Sequence, residues 1–120
     1  MNHKDLKVWK RSIDLVVRVY GLSKSLPTDE KFGLNSQIKR SVVSIPSNIA
    51  EGAGRSSTKE LIRFIDIASG SLSELETQLI LVKKLGFYNT DDLVKHDILV
   101  IRKMLFRLKL SLGRKYEEKR

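Results

Sequence analysis

The chain has no cysteine among its 120 residues. That excludes disulfides, thiolate metal sites and a cysteine nucleophile, and it points to a reducing, cytoplasmic setting. Proline occurs only twice, and no stretch shows the strict apolar–polar alternation of a half-buried strand, so an all-α chain is expected. Histidine is almost as scarce, with His3 near the start and His96 far along. Asp92 and His96 lie one helical turn apart, but two ligands do not make a metal site. No serine, histidine and aspartate are held together by any visible pattern, and the Glu-x-x-His pairs of diiron bundles are missing. No apolar run approaches the length of a membrane span, and the opening MNHKDLKVWKR lacks the features of a signal peptide. The segment EGAGRSST resembles a phosphate loop only superficially, because the G-x-x-x-x-G-K-[ST] spacing and a preceding strand are absent. No catalysis, metal or cofactor is therefore expected.

What the chain does have is positive charge. Lys and Arg total 23 against 14 Asp and Glu, a net +9, which favours anionic partners at long range. A length of 120 residues suits one domain, 1–120, with one core.

The punctuation divides the chain into four helices. The first is expected from about Asp5 to Ser25, ahead of Pro27, which restricts the residue before it. Thr28 with Asp29 and Glu30 would open a second helix running to about Ala53, where GAGRS breaks it. Ser57 and Glu60 form a capping box for the third, and Lys83, Lys84 and Gly86 are its stop signals. Thr90 with Asp91 and Asp92 would start a fourth that ends near Gly113, leaving RKYEEKR to fray. Short connections between such helices imply an antiparallel up-down four-helix bundle.

Helical spacing then assigns faces. In the first helix the row Leu6, Trp9, Ile13, Val16, Val17 and Tyr20 is expected in the core, with a surplus row Val8, Leu15, Val19, Leu22 and Leu26. In the fourth, Ile101, Met104, Leu105, Leu108 and Leu112 form the core row, and Leu99, Phe106 and Leu110 lie well away from it. Surplus apolar rows usually mark an interface. Self-association through Val8, Leu15, Val19, Leu22, Leu99, Phe106 and Leu110 is therefore expected.

The second helix carries a polar ladder, Gln37, Ser44, Asn48, Glu51 and Arg55, within an arc of about 60°, with Arg40 and Ser41 on its shoulders. The third helix offers Ser71, Glu74 and Gln78 beside its own core row. Folding the two back on each other places Arg40 opposite Glu74, Gln37 opposite Gln78 and Ser44 opposite Ser71, with Gly70 at the close approach. The ladder is read as a structural seam, since half-buried polar groups must find partners. Pro46, inside the second helix, removes one backbone donor and is expected to kink it.

From Ile98 to Tyr116 six basic residues, Arg102, Lys103, Arg107, Lys109, Arg114 and Lys115, occur with no acid. The first helix adds Lys7 and Arg11, along with Lys4, Lys10 and Arg18. Phosphate-backbone contact through this surface would be steeply salt-dependent and largely blind to sequence. Few aromatics lie among these charges, which gives no support to a row of stacking platforms.

The stretches FGLNSQIKRSVVSIPSNIAEGAGRSS and RFIDIASGSLSELETQL, with the opening LKVWKRSIDLVVRVY, resemble the bacterial four-helix bundle proteins named after intervening sequences in 23S ribosomal RNA, also called S23 ribosomal proteins. The matching pattern is Gln37, Arg40, Ser44, Ile45, Asn48, Ile49, Ala50, Glu51, Gly52 and Arg55, then Phe64, Ala68, Gly70, Ser71 and Glu74, with Trp9 in the first helix. Val43 stands where the pattern has alanine. The resemblance implies an up-down bundle assembled as a homopentamer. It also implies kinship with the accessory variability determinant of diversity-generating retroelements, a basic bundle that acts beside a reverse transcriptase. From the charge and the resemblance together, the expected function is a non-enzymatic oligomer that associates with nucleic acid, RNA rather than DNA, and with no membrane. The alternative is a scaffold for a protein partner, with no direct nucleic-acid role.

Overall fold

The computed structural model describes residues 1–119. Among them four long helices, α1 Lys7–Ser23, α2 Leu34–Ala53, α3 Thr58–Lys84 and α4 Leu99–Lys119, account for the fold, and no strand occurs. Each packs on the next, and α4 returns to α1, in a body 52 × 23 × 20 Å. Neighbours are antiparallel, as side-chain pairs show. Asn35 donates to the Ser23 carbonyl and Lys39 sits over Tyr20 between α2 and α1. Ser41 reaches Glu74 between α2 and α3, and Arg102 reaches Glu76 while Lys109 reaches Asp66 between α4 and α3.

The helix ends follow local chemistry. The Ser57 hydroxyl accepts from the Glu60 backbone N–H at 3.1 Å, so the capping box opens α3. Gly86, at φ +80°, closes it after Lys83 and Lys84, the left-handed position that glycine occupies without a Cβ penalty. Other boundaries differ from expectation. Thr28–Glu30 forms only a 3-10 turn, and α2 begins at Leu34. The segment before α1 is likewise a 3-10 turn, His3–Asp5. Gly113 does not end the last helix, which continues to Lys119, so 114–119 do not fray; Arg120 lies outside the described residues. One glycine costs only about 1 kcal/mol in a helix interior, too little by itself to stop a helix. The helix preceding α4 takes a π-helical turn over Leu93–Ile98, which no residue type announces.

The expectation for the α1 core holds only in part: Leu6, Trp9 and Val16 pack against the core, but its centre lies on the other row. Val8, Leu15, Val19, Leu22 and Leu26 are buried, whereas Ile13, Val17 and Tyr20 are exposed. The four residues Val8, Leu15, Val19 and Leu22 therefore pack into the protein's own core and are not available as an interface. Ser12 also sits fully buried in this row and donates its hydroxyl to the Trp9 carbonyl at 2.7 Å. A self-satisfied serine is cheap to bury, yet in the sequence it interrupts the stripe. Leu99, Phe106 and Leu110 remain exposed on α4.

Gly70 is not the close approach either, since a Cβ there would meet nothing within 4 Å. Gly52 is. Its added Cβ would lie 2.6 Å from the Phe64 Cβ and 3.1 Å from Leu61 Cδ1. Pro46 is buried within an uninterrupted α2, where the Ser47 hydroxyl and Asn48 amide donate to the Val43 and Ser44 carbonyls around it.

Candidate functional site

Two faces of the bundle carry the polar residues singled out by sequence. On the first, α2 meets α3. Ser44 donates to the Ser71 hydroxyl and Ser41 donates to Glu74 Oε1 at 2.9 Å. The register is the expected one, with Ser44 opposite Ser71, but Ser41, not Arg40, faces Glu74. Arg40 and Gln37 are exposed and turned away from this contact, because one residue along a helix is a rotation of about 100°. Gln78 is buried and donates to Glu74 Oε1 at 3.4 Å, leaving its own carbonyl oxygen without a donor. Asn48 bonds within α2. Lower down, Glu51 and Arg55 pair at 2.7 Å, and the Arg55 and Arg63 guanidiniums stand 5.0 and 5.4 Å from the Phe64 ring. The expected ladder is thus three things: a hydrogen-bonded centre, an exposed upper end, and a cation–π clamp at the turn.

On the second face, α1 meets α4. Arg18 ion-pairs with Asp97, whose side chain is only 14% exposed, and with Asp92 at 3.2 Å. These contacts orient α1 so that Lys7, Arg11 and Arg18, which share an arc of about 40°, look toward α4. Arg102 donates to Ser73 and Glu76, and Lys109 pairs with Asp66 at 2.7 Å. Both cations are thereby held on the α3 side. Lys103, Arg107 and Arg114 fall on the α1 half of the outward face, within about 40° of one another, and Leu99, Phe106 and Leu110 on the α3 half. Lys7, Arg11, Lys103, Arg107, Arg114 and Lys115 are exposed and have no ion pair among the described residues.

Where the π-helical turn faces α1 there is a notch of about 270 Å³, lined by Arg11, Asp14, Leu15, Arg18, His96, Asp97 and Ile101. Sequence reading missed it. The only available signal was the closeness of Asp92, His96 and Asp97 in the chain, which says nothing about α1. At the end of the bundle, Lys83 donates to both oxygens of Asp91. That hydrogen bond, with the positive charges of Lys83 and Lys95, holds the Asp91 carboxyl below its ordinary range.

The fold and these faces define a basic, antiparallel four-helix bundle with a hydrogen-bonded α2–α3 seam. Residues 4–107 match the 23S rRNA-intervening sequence protein family, and the chain belongs to it. A solved relative is a protein of unknown function from the S23 ribosomal protein family of Bacteroides thetaiotaomicron VPI-5482. It is 28% identical, superposes with a TM-score of 0.76, and the match covers 85% of this chain and 97% of that one. No curated protein matches the sequence. No helix among the described residues is long and apolar enough to cross a membrane.

Proposed function

We propose that this protein is a non-enzymatic, oligomeric nucleic-acid-associated bundle, binding RNA in preference to DNA in a reducing, cytoplasmic setting. The observation that carries the reading is the separation of its cations. Arg18, Arg102 and Lys109 are neutralised within the bundle, whereas Lys7, Arg11, Lys103, Arg107, Arg114 and Lys115 are exposed on α1 and α4 with no ion pair among the described residues. Exposed, unpaired charges keep their full attraction for phosphate, while paired ones have already given most of it up. The family's association with 23S rRNA intervening sequences supports RNA as the nucleic acid.

The test is fluorescence anisotropy with duplex DNA, single-stranded DNA and a structured RNA over a range of salt. Affinity should fall steeply with salt, and replacing Lys103, Arg107 and Arg114 by alanine should lower the log–log slope by about 3, roughly one per lost contact. Absence of binding at low salt would overturn the proposal.

A second reading, a scaffold for a protein partner, is favoured by the exposed apolar residues Leu99, Phe106 and Leu110 on α4 and Ile13, Val17 and Tyr20 on α1. In the proposed oligomer, a homopentamer by family resemblance, the α4 row lies between subunits. Light scattering on the eluting protein should then give a mass several times 13.7 kDa; a strict monomer at micromolar concentration would refute self-association.

A further inference from the structure

The α1–α4 notch differs in charge from the exposed surface of α4. On α4 the unpaired side chains Lys103 and Arg107 are cationic, but the notch sets Arg11 and Arg18 against Asp14 and Asp97. Its charge is balanced, in a chain of net charge +9. A phosphate entering it would meet two carboxylates in the same wall, which cancels the attraction of the arginines. A neutral ligand that brings its own donors and acceptors suffers no such opposition.

The side chains that remain available narrow the ligand further. Arg18 and Asp97 are bound to each other, and Arg18 also to Asp92. That leaves the Asp14 carboxylate, the Arg11 guanidinium and the His96 imidazole, none of which has a hydrogen bond or ion pair among the described residues. Leu15 and Ile101, almost wholly buried, close the base of the notch with apolar side chains. The volume of about 270 Å³ lies at the small end for ligand sites, which run from roughly 300 Å³ upward, and suits one base rather than a pair. A carboxylate is matched by two adjacent N–H donors, and a guanidinium or imidazole N–H by a carbonyl. Guanine is the common base whose edge offers both, N1–H and the 2-amino group beside O6.

We infer that this notch is a guanine-binding pocket, in which Asp14 accepts from N1–H and the 2-amino group, Arg11 or His96 donates to O6, and Leu15 and Ile101 lie under the ring. The inference rests on the nucleic-acid reading for the source of the base: an unpaired guanosine in a strand whose phosphates follow Lys103 and Arg107. The same chemistry would hold a free guanine nucleoside.

The experiment uses the full chain and three uridine-rich RNAs that differ at one central position: guanosine, inosine (which lacks the 2-amino group) or uridine. The guanosine strand should bind about tenfold tighter than the inosine strand, and Asp14→Asn should bind the two equally. Equal affinities in the unaltered protein, or a preference that survives in D14N, would overturn the pocket while leaving phosphate binding intact. If no strand binds at any salt, the nucleic-acid reading fails, and an NMR titration with guanosine decides the pocket alone. Shifts at α1 and α4 that vanish in D14N would support it for the free nucleoside. No shift would overturn it.

Discussion

Between α2 and α3 small polar groups meet across a narrow gap, serine on serine and serine on glutamate, with a glycine where the backbones crowd Phe64. Between α1 and α4 the polar groups are long and charged, they meet through Arg18, and they leave a notch and a row of unpaired cations. The first face is built by shape. Its central serines are consumed by one another and by Glu74, and the buried Gln78 oxygen is left without a donor. The second is held by charge at a few points, and most of its polar atoms stay open to solvent. In one small bundle, the polar residues most conspicuous in the sequence thus serve cohesion, and the less conspicuous ones on α1 and α4 stay open to solvent.

The contrast can be broken by substitution. Gly52→Ala should cost about 1–3 kcal/mol in denaturant titrations, from overpacking against Phe64, and the loss should be the same at low and high salt. If G52A is neutral, the α2–α3 face is not closed by shape. Arg18→Ala should cost about 1–2 kcal/mol, because the largely buried Asp97 carboxylate loses its partner. Here the loss should shrink as salt rises, since the Arg18 side chain is 48% exposed. A salt-independent loss would mean that Arg18 acts by packing its aliphatic stem instead. Gly70→Ala is the counterpart of G52A on the same helix pair. With nothing within 4 Å of the new Cβ, it should stabilise by about 0.5–1 kcal/mol through helix propensity alone.

Much of the architecture could be read beforehand where one residue type has one physical use. Ser57 with Glu60, and Gly86 after two lysines, fixed the ends of α3 because orphan backbone groups have few alternatives. The α2–α3 register was legible, since Ser44 meets Ser71 as expected, although Ser41 rather than its neighbour Arg40 takes Glu74. The α1 face was not, for two apolar rows of similar size compete there, and only tertiary packing decides which turns inward. The notch was illegible for a different reason. It joins Asp14 on α1 to His96 near α4, and its shape depends on a π-helical turn that has no sequence signature.

That turn also decides which side chains of the segment face the bundle. A π-helical turn holds one residue more than the α-helical turn it replaces, and each added residue rotates the remainder of the helix by about 100°. With it, Leu93 and Ile98 are both buried although five positions apart, and Asp92 and Asp97, also five apart, both reach Arg18. Residues five apart on an ordinary helix point about 140° away from each other. The turn therefore accommodates one more residue than an α-helical turn would, taking up the rotation locally so that both residues of each pair face the bundle.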